Sequence, residues 1–272
     1  MRFTSHRDFA RAFERALRRA GVPVAFSQGF TPHPKISYAS AAPTGVASEA
    51  EYLEIGLRAE TDPEELRLAL DTALSPGLDV LEAVVATGGS LADRIDTSRW
   101  RIELPEVDPL CAGEAVAAFL AAEEVPVQRL TKQGRRTFDA RAAVVDLTVV
   151  DDAVADDAVV SRAVAGSAGA VEPAAGGADI TGQPAAGLPS EVRSVPCAIL
   201  DLVVRQVTPS VRPDDVLSGL RVMADLEPPV PPRVTRLAQG TLTAQGEIVD
   251  PLEADHAGQP SVNASRVPAG AQ

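Results

Sequence analysis

Four arginines, Arg7, Arg11, Arg15 and Arg18, recur at spacings of four, four and three near the start of the 272-residue chain. On a helix that spacing sets their guanidinium groups on one face, as a stripe about 16 Å long at about 1.5 Å per residue. Guanidinium forks match phosphate oxygens, so such a stripe suits a phosphodiester backbone. A second group follows in Gln28-Gly29-Phe30-Thr31-Pro32-His33-Pro34-Lys35. Two prolines restrict the backbone there, Gly29 permits a tight turn, and an amide, a ring, an imidazole and an ammonium are offered together. Gln28, Phe30, His33 and Lys35 therefore join the four arginines as the candidate nucleic-acid-binding set, with Phe30 and nearby Tyr38 as rings on which bases would stack.

Candidates for catalysis are fewer. His6 and Asp8, two residues apart where a helix begins, have the types of an acid/base pair, and His33 or Asp139 would complete a cleft between two halves. The plainer assignment makes Asp8 a cap and puts His6 in the first turn, where the helix dipole disfavours its protonation. Asp139 and Arg141 lie on the same side of an extended segment and fit either a site pair or a cross-strand ion pair. No Ser-His-Asp order, Gly-rich phosphate loop, His-x-x-x-His or Cys-x-x-Cys occurs, so nucleotide hydrolysis and metal-dependent hydrolysis draw no support. Cys111 and Cys197 stand 86 positions apart, which provides neither an iron–sulfur cluster nor a zinc site. No metal or cofactor is expected, and the thiols fit a reducing, cytoplasmic setting. The first residues are charged, with no apolar signal region, and no window offers roughly 18 apolar residues, so neither secretion nor a membrane span is expected.

The formal charge of −13 conceals a segregation of sign. Residues 1–38 carry seven basic and two acidic side chains, whereas 39–104 carry five basic and thirteen acidic. An anion-seeking surface thus precedes a solubilising one, and overall acidity does not exclude nucleic acid. The balance is −2 over 105–150 and −5 over 151–196.

The elements that must position these residues follow from periodicity and caps. Ser5 and Asp8 read as a capping box for a helix running to about Ala20, with Gly21 as its stop and Phe9, Phe13, Ala16, Leu17 and Ala20 on its apolar face. Val22 to Phe30 reads as extended, Ile36 to Ser40 as a strand, and Leu53, Ile55 and Leu57 alternate on a half-buried strand. Asp62-Pro63-Glu64-Glu65 opens a helix that buries Leu66, Leu70 and Leu74, and a strand is expected at Leu78 to Ala86. The order then repeats. A strand carries Trp100, Ile102 and Leu104, a helix covers Glu114 to Ala122, extended segments cover 125–130 and 140–150, a strand runs from Ala198 to Val207, Arg212-Pro213-Asp214-Asp215 opens a helix, and Arg233 to Leu242 is a last strand. At an offset of 150, Pro63-Glu64-Glu65-Leu66 falls on Pro213-Asp214-Asp215-Val216.

Strand, helix, strand, strand, helix, strand is the split βαβ order, so the expected fold is α+β, two tandem ferredoxin-like halves of which the first lacks its opening strand. The halves are placed at 1–97 and at 98–150 plus 196–245. Residues 151–195, rich in Ala, Gly, Pro and Asp without a period, read as a disordered insertion, and 246–272 as a disordered tail.

Ser5-His6-Arg7-Asp8, Phe13 to Ala20, Ser27 to Lys35 and Gly45 to Tyr52 together resemble the radical-SAM-linked protein family, a bacterial domain of unknown function fused to, or encoded near, radical S-adenosylmethionine proteins. The resemblance covers 1–104 most fully and extends to about 242, where Thr137-Phe138-Asp139-Ala140-Arg141 is similar to the family's Asp-x-Arg segment. Members carry a basic strand before the Ser-His-x-Asp segment that has no counterpart here. What the resemblance implies is a radical SAM partner; this chain lacks the cysteine run that would hold the cluster itself. The expected function is an RNA-binding or substrate-presenting accessory module for that partner, contacting tRNA or rRNA, and not an enzyme on its own. Two alternatives stand beside it: an enzyme acting on nucleic acid or nucleotide through His6, Asp8 and His33 or Asp139, and a protein-binding adaptor that touches no nucleic acid.

Overall fold

A computed structural model describes residues 6–131, 134–150 and 195–256. The insertion expected at 151–195 therefore lies, but for Val195, outside the described residues, as do the Ser5 cap and residues 257–272.

The chain is mixed α+β. Its larger sheet joins β4 (Thr97–Pro105), β7 (Val144–Val150), β8 (Cys197–Arg205), β9 (Arg233–Leu242) and β10 (Ile248–Val249) in the order β10-β9-β4-β8-β7, with every neighbour antiparallel. Alternation along β4 divides its two faces. Trp100, Ile102 and Leu104 are buried, while Arg99, Arg101 and Glu103 face away from them and Arg99 pairs with Asp201 of β8. The buried face is covered by α3 (Pro109–Ala121) and α4 (Pro213–Ala224) in one apolar cluster that includes Phe119, Leu147, Leu200, Leu202, Val216 and Leu220. Burying each such side chain is worth about 1.5–3 kcal/mol. At Gly219 the two helices close tightly, for a Cβ there would meet Phe119 Cε2 at 2.5 Å.

The helices begin where cap and proline coincide. Asp62 accepts hydrogen bonds from the amides of Glu64 (2.8 Å) and Glu65 (3.1 Å) and opens α2 (Pro63–Ala73). Asp108 accepts from the amide of Leu110 at 2.8 Å and opens α3 at Pro109, five residues ahead of the expected Glu114. The Asp-Pro pair is the start signal that the Ala-rich stretch obscures. Asp215 accepts from the amide of Arg212 at 2.7 Å at the head of α4.

The first 97 residues supply α1 (His6–Arg19), β1 (Ile36–Ala39), β2 (Ala47–Ser48), β3 (Tyr52–Ile55) and α2. β1 and β3 pair antiparallel, with Ile36 opposite Ile55 and Tyr38 opposite Leu53. Both helices pack on this pair through Phe13, Leu17 and Leu70, with Leu53, Ile55, Leu66 and Leu74 around them. β2 leaves this unit and pairs parallel with β9, Ala47 opposite Thr235, so the boundary expected at 97 is crossed by a strand.

Two expectations are corrected. Residues 78–86 form no strand; polar side chains of α2 take up backbone groups of Val80 instead, Asp71 accepting from its amide at 2.9 Å and Arg67 donating to its carbonyl at 3.2 Å. The tail expected from 246 is built into the fold as far as His256, through β10 and the short helix α5 (Glu253–His256). Its hold is polar and long-range, which local composition does not register. Asp255, buried, accepts from Arg94 (2.6 Å) and from the amide (2.9 Å) and hydroxyl (2.6 Å) of Thr87. The Tyr52 hydroxyl donates to Asp250 at 2.9 Å.

Candidate nucleic-acid interface

α1 realises the expected amphipathic helix. Phe13, Ala16 and Leu17 are buried, and Arg7, Arg11, Arg15 and Arg18 are all exposed. Arg18 lies 3.6 Å from Glu14, a solvent-exposed pair of small energetic weight. Among the described residues no carboxylate comes within ion-pair distance of Arg7, Arg11 or Arg15. The acidic stretch at 39–104 therefore does not neutralise the stripe. Arg19, outside the stripe, donates to the carbonyl of Ala73 and ties the end of α1 to the end of α2.

The Pro-rich loop is a narrow hairpin. The Ser27 amide donates to the carbonyl of His33 at 2.8 Å, the His33 amide to Ser27 Oγ at 3.0 Å, and Phe26 bridges Pro34. At its base, the Lys35 amide donates to Ala25 and the Gly56 amide to Lys35, both at 2.8 Å. The sequence folds this way because Gly29 takes a φ of 132°, which L residues rarely adopt, while the prolines resist helix. Gln28, Phe30, His33 and Lys35 are all exposed, and the Phe30 ring is fully in solvent. A bare phenyl ring on a pinned loop is an available stacking surface.

The candidate catalytic residues are not drawn together. The His6 ring rests edge-on against Tyr38, centroids 4.9 Å apart, and Phe9 packs on the same tyrosine. The Tyr38 hydroxyl is buried and its pKa is pushed up to about 12, first by burial and then by the Glu14 charge. Asp8 is exposed in the first turn of α1. Asp139 lies in the other half of the chain, where its carboxylate accepts from the amides of Val125 (2.8 Å), Arg141 (2.9 Å) and Ala142 (3.1 Å). The Arg141 guanidinium turns to the carbonyls of Leu120 (3.4 Å) and Val144 (3.0 Å), so Asp139 and Arg141 knit backbone and form no side-chain pair. Among the described residues no hydrogen bond or ion pair joins His6, His33 and Asp139, and no group of three His, Cys, Asp or Glu side chains is placed to hold a metal ion. No described helix is long and apolar enough to cross a membrane.

One polar cluster was not legible beforehand. Arg236 of β9, on the buried face of the sheet, reaches Glu51, the carbonyl of Ser40 (2.6 Å) and Ser48 Oγ (3.2 Å), with its guanidinium carbon 5.4 Å from the centre of Trp100. Its partners are 185 and more positions away, so no spacing rule points to it.

The fold and surface thus describe an α+β protein with an exposed basic helix face and an aromatic-tipped hairpin in the same N-terminal unit. A family model described as "uncharacterized protein conserved in bacteria (DUF2344)" matches residues 1–173, and the chain belongs to this family. The matched span takes in α1, the hairpin and the chain through β7. No curated protein matches the sequence.

Proposed function

We propose that this protein is an RNA-binding, substrate-presenting accessory module that serves a radical SAM protein in the cytoplasm. The observation that carries the RNA part is the exposed stripe, in which no carboxylate among the described residues lies within ion-pair distance of Arg7, Arg11 or Arg15. Arginines without an internal partner add little to folding, and aligned along one face their guanidinium forks suit the oxygens of a phosphate backbone. The radical SAM partner rests on the resemblance of the Ser5–Asp8, Ser27–Lys35 and Gly45–Tyr52 segments. The finer reading of the fold, two ferredoxin-like halves, draws on the order β9-β4-β8-β7 with two helices on one face, which is the split βαβ order in the second half. In the first half only α1, β1, β3 and α2 support it, and β2 is lent to the other sheet.

The test is fluorescence anisotropy of the full chain with bulk tRNA and rRNA fragments across a salt series. Affinity should fall as salt rises, with a log–log slope equivalent to several phosphates at about 0.7 each for single strands. The variant with Arg11, Arg15 and Arg18 changed to Glu should lose most of that affinity. Unchanged binding by this variant would remove the stripe from the interface, and no binding by wild type at low salt would end the RNA reading. The adaptor alternative has one observation on its side, the solvent-borne Phe30, and predicts capture of a protein partner that salt does not weaken.

A further inference from the structure

Passing from α3 to the edge strand β7 requires only a few residues. The chain uses 122–143 instead and builds from them a separate two-stranded sheet, β5 (Pro126–Thr131) and β6 (Gly134–Asp139). The base of this hairpin is fixed. Val125 and Val127 are buried, and Asp139 holds the Val125 amide. Arg129 donates to Asp215 (3.0 Å from Nε) and to the carbonyl of Ser210 (2.8 Å), and lies 4.8 Å from the centre of the Phe138 ring. Its outer part is bare: Leu130 is 79% exposed, and Gly134, Arg135, Arg136 and Thr137 are exposed as well.

Charge is concentrated here more than the regional balance suggests. From 125 to 138 the sequence has four basic residues, Arg129, Lys132, Arg135 and Arg136, and no acidic one. Lys132 falls outside the described residues; the other three are placed by the register. Arg136 stands opposite Arg129 and Arg135 opposite Leu130, so Arg135 and Arg136 project from opposite faces of the ribbon. Asp215 neutralises Arg129. Among the described residues no carboxylate pairs with Arg135 or Arg136. Arg136 set across from Arg129 is a like-charge pairing that adds nothing to the stability of the hairpin.

We propose that the β5–β6 hairpin is a second RNA contact, a basic ribbon that lies across the groove of a base-paired segment and touches phosphates on both sides, Arg135 on one and Arg136 on the other. This inference rests on the RNA-binding reading and adds the class of RNA, one with a double-stranded part. The opposed faces favour it: an acidic protein surface would meet one arginine, whereas the wide, shallow minor groove of an A-form helix runs between two phosphate rows and is recognised through them. Leu130, beside Arg135, supplies an apolar contact for sugars.

The experiment compares four full-length proteins: wild type, Arg135→Glu/Arg136→Glu, Arg135→Gln/Arg136→Gln and Arg11→Glu/Arg15→Glu. The probes are an RNA hairpin of about 16 base pairs, a poly(U) strand and a poly-glutamate peptide. Reversing the ribbon charges should weaken duplex binding at least about tenfold and lower the salt slope by about 2, with the Gln pair intermediate and poly(U) much less affected. Matching thermal unfolding midpoints for both ribbon variants would attribute the loss to binding. Wild-type duplex affinity in both ribbon variants, beside a weakened stripe variant, would overturn the ribbon assignment and leave the RNA reading standing. Absence of RNA binding by wild type would overturn both. Poly-glutamate binding as tight as the duplex, and lost in the same variants, would assign the ribbon to an acidic protein and overturn the inference.

Discussion

Arg236, with 2% of its side chain exposed, donates to the carboxylate of Glu51, and this contact fastens the chain before β3 to the strand β9 that β2 extends. Burial pulls the Arg236 pKa down and the Glu51 charge opposes it, so the carboxylate is what keeps a buried cation tolerable. Glu51→Ala should destabilise the protein by about 2 kcal/mol, because water reaches Glu51 but hardly reaches the guanidinium left behind. The double change Glu51→Ala/Arg236→Met should cost less than Glu51→Ala and Arg236→Met added together. Urea midpoints of the four proteins measure this coupling, and strict additivity would show that the pair does not act as a unit.

Asp255 gives acid sensitivity to the C-terminal segment. Hydrogen bonding from Arg94, then from Thr87, lowers its pKa from 3.8 to about 2. A carboxyl whose folded pKa is depressed contributes stability that is complete above the unfolded value and is lost as pH falls through the folded one. Thermal melts of wild type and Asp255→Asn should therefore differ by a constant amount above about pH 4 and converge between about pH 4 and pH 2. A gap that persists at pH 2 would assign the effect to packing.

Gly219→Ala tests the closeness of α3 and α4. In an exposed helix the change would stabilise by about 1 kcal/mol. Here the new methyl meets Phe119 at 2.5 Å and Val125 Cγ1 at 3.0 Å, on a ring buried in the core. A net loss of about 1–3 kcal/mol in chemical denaturation is expected.

Phe30→Ala separates binding from folding. The ring contacts nothing that holds the fold, so stability should stay within about 0.5 kcal/mol. On the RNA reading, affinity for a single-stranded probe should fall by about 1–3 kcal/mol, the usual worth of one stacked base. A titration that leaves affinity unchanged would remove Phe30 from the interface.

Much of the site was legible because it is local. The faces of α1 follow from 3.6-residue periodicity alone, and Gly29 with its two prolines marks the tight turn, though not the pairing of Phe26 with Pro34 that closes it. Averaged over 105–150, the charge of Arg135 and Arg136 disappears among seven acidic residues. It stands out only across 125–138, where no acidic residue falls. The missing strand at 78–86 shows the opposite failure, for apolar content marked Leu78 to Ala86 as strand although side chains of α2 take up the backbone groups of Val80.

By itself the sequence determined what is set within a turn or a few residues: the capped start at Asp62-Pro63, the alternation on β4, and the arginine face of α1. Only the tertiary structure decided that β2 would pair with β9, that Arg236 would be buried against Glu51, that Asp139 would tie down backbone amides, and that residues 248–256 would join the fold. Those arrangements depend on which buried polar groups find partners after the chain closes on itself, and such partners are set by proximity in space across long separations in sequence.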